Sequence, residues 1–135
     1  MIKLVVDTNV IISANIKQRG AESRLLDLIL DRRLQLYVSQ PILAEYEGVL
    51  SRPKFRLDPR RVEDAIEAIR STCTIVTPSK LLSVSNDDPD NRFLECAEEA
   101  VADFLVTGNK RHFRRAGSRP RLSTLENYWR FWPLS

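Results

Sequence analysis

Short apolar runs alternate along this chain with stretches whose apolar residues recur every three to four positions. "KLVVD" is a compact apolar run rich in valine, the pattern of a strand buried on both faces. "ESRLLDLILDRR" has helical spacing, and "LQLYVS" reads as a second strand. "PILAEYEGVLSRP" predicts a helix with Pro41 in its first turn and Pro53 just past its end. "DPRRVEDAIEAIRSTC" predicts another, capped by Asp58 with Pro59 at the first helical position. A short strand in "TIVTP", a helix through "DPDNRFLECAEEA" and a fourth strand in "DFLVTGN" follow, then a basic segment ending in "LSTLENYWRFW". Strands alternating with helices predict a parallel sheet covered by helices on both faces.

The length of 135 residues suits one domain, residues 1–135. The 43% hydrophobic and 29% charged fractions are those of an ordinary globular chain. No apolar run is long enough to cross a bilayer, which argues against a membrane protein. "MIKLVVD" lacks the length and cleavage site of a signal peptide, so the expected location is cytoplasmic. Two isolated cysteines, Cys73 and Cys96, and one histidine, His112, exclude a zinc site of the usual kind. Cys96 reads as a small buried hydrophobe.

Charge is uneven. Residues 109–135 hold seven basic side chains against one acid, Glu126, for a net +6; the first 108 residues carry −3. A basic segment on an acidic body suits a polyanion such as nucleic acid, or an acidic protein. Leu125, Tyr128, Trp129, Phe131 and Trp132 suit either core or interface.

In parallel α/β sheets the functional crevice lies beyond the carboxyl ends of the strands. Asp7 closes the first strand there, although capping the helix after it is a rival explanation. Asn109 follows the fourth strand, Glu45 lies in the helix after the second, and Asp90 opens the helix before the fourth. Helical phase does not separate Glu45 from Glu47: they flank the apolar centre of their helix at equal angles. Asp88, directly before Pro89, is the natural cap of the next helix, and Asp87 falls in solvent. Phe93, Leu94, Ala97 and Val101 form that helix's expected buried stripe. Asp90 lies near its middle, with Glu95 and Glu99 opposite. An inward carboxylate requires a cation or a basic partner. Asp103 begins the fourth strand at its amino end, the wrong edge for chemistry, and is the weakest candidate.

Taken together, "VVDTNVIIS", "ILAEYEGVL" and "DNRFLECAEEAVADFLVTGN" resemble the successive motifs of PIN-domain ribonucleases, most closely the VapC-like toxins of prokaryotic toxin–antitoxin systems. The resemblance spans nearly the whole chain. It implies a three-layer α/β/α sandwich with a central parallel sheet of about four to five strands. It implies a Mg²⁺- or Mn²⁺-dependent ribonuclease, an endonuclease, with an antitoxin partner and a homodimeric state. Carried over by position, the catalytic set is Asp7, Glu45 (rather than Glu47), Asp90 and Asn109, with Asp7, Asp90 and Glu45 holding the metal. Thr8, Asn9 and Thr107 match the polar residues that support them.

Asn109 stands where the family carries an acid. An amide can accept or donate a bond but adds no charge, which favours one metal over two. Asp87 or Asp88 could compensate. Lys110, Arg111, Arg114 and Arg115 directly follow the pocket and suit the RNA backbone; His112 could stack on a base or simply pack. The competing expectation is a PIN module with little cleavage that acts by binding RNA or protein. A haloacid-dehalogenase phosphatase needs a second acid where Asn9 stands. A receiver domain needs paired acids that the chain lacks, and no P-loop or dinucleotide-binding glycine motif is present.

Overall fold

The computed structural model describes residues 1–17, 19–79 and 88–107, with side chains of the last stretch described from residue 91. In chain order the elements are β1 (Lys3–Val6), α1 (Thr8–Ile16), α2 (Ala21–Leu30), β2 (Gln35–Val38), α3 (Gln40–Leu50), a 3-10 turn (Pro53–Phe55), α4 (Pro59–Thr72), β3 (Thr74–Ile75), α5 (Asp88–Ala100) and β4 (Phe104–Val106).

Among the described residues the sheet has four strands in the order β3-β2-β1-β4, all parallel. Leu4, Val5 and Val6 of central β1 are fully buried, as the unbroken apolar run predicts. The chain starts at β1, winds outward to β2 and β3, then returns to place β4 on β1's other side. The winding direction therefore reverses between β1 and β4. At such a reversal, connections leave neighbouring strands in opposite directions and open a crevice at their carboxyl ends.

Helix α1 forms against local propensity. Val10, Ile11 and Ile12 are β-branched in succession and by themselves favour a strand. Burial of all three, and the cap that Asp7 supplies, override that preference. In α4, Asp58 caps as expected, its Oδ1 accepting from Arg60 N–H at 2.8 Å.

Helix α5 departs from its expected phase at two places. Glu95, expected on the open side, is 3% exposed. It is buried because Arg92, one turn earlier, meets its carboxylate at 2.8 Å; a paired charge can be taken inside where a lone one cannot. Val101, expected in the buried stripe, is 56% exposed. The helix stops at Ala100 and Val101 adopts a left-handed backbone, φ 51°. Val101 N–H bonds Glu98 O at 3.2 Å and Ala102 N–H bonds Ala97 O at 3.0 Å, the pair of closing bonds of a Schellman cap. The side chain swings outward with the reversal. The helix also begins at Asp88, one residue before the expected first position, Pro89.

Candidate active site

The carboxyl end of β1 carries the first candidate. Asp7 N–H bonds Val106 O at 3.0 Å, so the β1–β4 ladder delivers Asp7 to the rim before the chain turns. Asp7 then does both jobs that the sequence offered as rivals. Its Oδ1 accepts from Val10 N–H at 3.1 Å and caps α1. Its Oδ2 accepts from the Thr107 hydroxyl, across the point where the winding reverses.

Asp7 is 6% exposed. Burial holds its carboxyl pKa above the ordinary aspartate range, and the charge of Glu45 adds to the rise. The Thr107 hydroxyl and the N–H groups of Val10 and Asn9 oppose it. The Asn9 side chain is exposed, so Asn9 reaches Asp7 through its backbone.

Helix α3 supplies the second carboxylate. Glu45 is half-buried and accepts from the Thr8 hydroxyl, whereas Glu47 is exposed. The tie left by helical phase is thus broken by α1, which packs beside α3. Thr8 and Thr107 have parallel roles, each giving one hydroxyl to one acid.

In the sequence Tyr46 is one residue of the apolar centre of the helix that carries Glu45. It is fully buried, its phenol donates to Val6 O, and its ring stacks on Phe93 of α5 with centroids 6.4 Å apart. Burial pushes the phenol pKa well up, so the hydroxyl stays a neutral donor. The residue beside Glu45 is therefore fixed to the carbonyl just before Asp7. The available signal was a tyrosine on a buried face, since a buried phenol needs an acceptor. Ser39 is buried where β2 enters α3.

Asp103 lies apart from this group. It is exposed at the amino edge, where its Oδ2 accepts from Lys3 N–H at 2.8 Å and its own N–H bonds Lys3 O at 2.9 Å. It serves the β1–β4 pairing. Asp88 and Asp90 lie in the first turn of α5, which packs on β1, β2, β4 and α3; their side chains lie outside the described residues. So do Asp87, Asn109, Lys110, Arg111, His112, Arg114, Arg115 and the aromatic residues 125–132.

Among the described residues no basic side chain pairs with Asp7 or Glu45; the ion pairs there are Arg70–Glu67 and Arg92–Glu95. Nor do three or more acids, histidines or cysteines gather there as a metal-binding group. Two carboxylates without a cation, one of them costly to ionise, are hard oxygen donors of the kind that suits a hard divalent cation.

A PIN domain family profile matches residues 3–111. The chain belongs to the PIN domain family. This PIN domain is 36% identical over 112 residues to an uncharacterized protein of Methanocaldococcus jannaschii, covering 81% of this chain and 72% of that protein. Its fold is similar to the crystal structure of VapBC2 from Rickettsia felis bound to a DNA fragment from their promoter. That match has a TM-score of 0.61 at 21% identity and covers 90% of this chain and 96% of the other. The α/β/α sandwich implied by the sequence motifs is the fold this PIN domain has. No described helix is long and apolar enough to cross a membrane.

Proposed function

We propose that this PIN domain is a divalent-metal-dependent endoribonuclease and the toxin of a toxin–antitoxin pair. The observation that carries the proposal is the Asp7–Glu45 pair. Two acids held by threonine hydroxyls stand at the reversal of a parallel sheet, with no cation among the described residues to neutralise them. Membership of the PIN family supports nuclease chemistry. The toxin assignment rests on the VapC-like motifs and on the fold shared with VapBC2.

In this proposal Asp7 and Asp90 would be the principal residues holding Mg²⁺ or Mn²⁺, and Glu45 would serve as a further ligand or as the base that takes the proton from the attacking water. When bound, the ion stabilises charge on the phosphoryl oxygens and makes water more acidic. Asn109 orients water without adding charge. Thr8 and Thr107 keep the carboxylates in fixed rotamers, and Tyr46 fixes the separation of α3 from β1. Lys110, Arg111, Arg114 and Arg115 hold the RNA backbone. The proposed partners are RNA, an antitoxin protein and a second copy of the chain.

The test is incubation of purified protein with several RNAs and either Mg²⁺ or Mn²⁺. Cleavage that chelator and Asp7→Asn both abolish is the expected result. RNA binding with no cleavage under either metal would overturn the nuclease and favour a binding module.

A further inference from the structure

The segment "SRPKFRLDPRR", residues 51–61, joins α3 to α4 and carries five cations: Arg52, Lys54, Arg56, Arg60 and Arg61. All five are exposed. Its one acid, Asp58, is used as the cap of α4. The described ion pairs include none of the five. The segment carries net +4, whereas the other residues among the first 108 carry −7. A solvated surface normally intersperses its charges, and this one segregates them.

The segment is also held in shape. Pro53 opens the 3-10 turn and Pro59 opens α4. Phe55 packs on the core, with Lys54 Nζ 5.0 Å from its ring centroid. Arg56 closes the turn in a left-handed backbone, φ 52°, where a glycine would fit without strain. A cation occupies the strained position.

Its placement relates it to the acids. α1 and α3 pack together and both start at the rim, one behind Asp7 and the other behind Ser39. Both reach the basic segment: α3 runs into it, and Arg61 Nη2 donates to Asn15 O near the end of α1 at 2.8 Å. Five helical residues and a two-residue step put the Arg52 backbone within roughly 15 Å of Glu45.

We propose that the α3–α4 junction, led by Arg52, Lys54 and Arg56, is a second phosphate-backbone contact for RNA, one helix length from the acidic pocket and distinct in sequence from the basic segment after Thr107. It rests on the RNA reading given above. The junction holds the strand at a distance while the carboxylates act on one phosphate. Its chemistry is electrostatic and carries no base preference.

The experiment uses the full chain with Asp7→Asn, in chelator, so that nothing is cut. Binding of a fluorescein-labelled unstructured single-stranded RNA is followed by anisotropy over a range of salt. With Arg52→Gln, Lys54→Gln and Arg56→Gln combined, the affinity should fall about tenfold, and the slope of log K against log salt should drop by about 2 for three lost contacts. In the chain with Asp7 restored, KM for RNA should rise at unchanged kcat. Arg24→Gln with Arg33→Gln, elsewhere on the surface, should leave the slope within error, and thermal melts verify folding. An unchanged slope with intact RNA binding overturns this inference alone. Equal losses in both sets overturn it as a general charge effect. Retention on poly-glutamate but not RNA overturns it in favour of an acidic protein. Failure of the Asp7→Asn chain to bind RNA at all removes the RNA reading and this inference together.

Discussion

Replacing Asp7 by asparagine should make the metal-free protein more stable while disabling it. The substitution keeps shape and nearly all bonding. The amide oxygen can still accept from Val10 N–H, and the Thr107 hydroxyl can turn to accept from the amide nitrogen. What disappears is a buried charge beside that of Glu45. The native fold raises the Asp7 pKa above its ordinary 3.8, so it binds that proton more tightly than the unfolded chain does. The stabilisation from the proton is complete below pH 3.8 and is lost as pH rises through the folded value. At neutral pH the wild type bears the full penalty and the variant none. A gain of about 1 kcal/mol is expected for relieving a strained functional site, or roughly 4 °C in Tm for a chain of this size. The assay is thermal unfolding in chelator from pH 3 to 8. The gap should be largest at neutral pH and close toward pH 3. Mn²⁺ should then raise the Tm of the wild type, by an amount equal to about 2.7 kcal/mol at a hundredfold excess over Kd, and leave the variant unmoved. A variant less stable than wild type at pH 7 in chelator would refute the reasoning, because it would mean that the charge is already well compensated in the native fold.

Three further outcomes follow from particular contacts. Thr107→Val removes a bond that holds the Asp7 pKa down, so the acid limb of the pH–rate profile should move to higher pH. Tyr46→Phe keeps the ring on Phe93 but leaves Val6 O without that donor. It should cost about 1–2 kcal/mol in urea unfolding and raise the Mn²⁺ concentration for half-maximal activity, because the carboxylates lose their fixed separation. Val101→Gly relieves a β-branched side chain from a left-handed backbone where little burial is lost, and should stabilise by roughly 1 kcal/mol in the same assay.

Much of the architecture is legible in the sequence because its signals are local. β1 is an unbroken apolar run, and α4 carries its own Asp–Pro start. The place of Asp7 at the carboxyl end of β1 follows from topology once the alternation of elements is recognised. What escapes is contact between elements and the local pairings and caps that override helical phase. Helical phase left Glu45 and Glu47 equal, and only Thr8 of a different helix separates them. Val101 continues an apolar stripe on paper, but a Schellman cap ends the helix first. Glu95 looks like a surface residue until Arg92 is seen to neutralise it. Tyr46 gives no sign of its acceptor, because a backbone carbonyl forty positions earlier leaves no mark in residue identity.

The bond from Thr107 to Asp7 joins positions one hundred residues apart. During synthesis Asp7 emerges one hundred residues ahead of Thr107. A nascent chain lacking Phe104–Val106 leaves β1 unpaired on one side, with Asp7 missing both the Val106 carbonyl that places its backbone and the hydroxyl that holds its carboxylate. Assembly of the pocket is thereby tied to synthesis of β4 and Thr107. For a protein proposed to cut RNA, that order delays competence until β4 and Thr107 have left the ribosome.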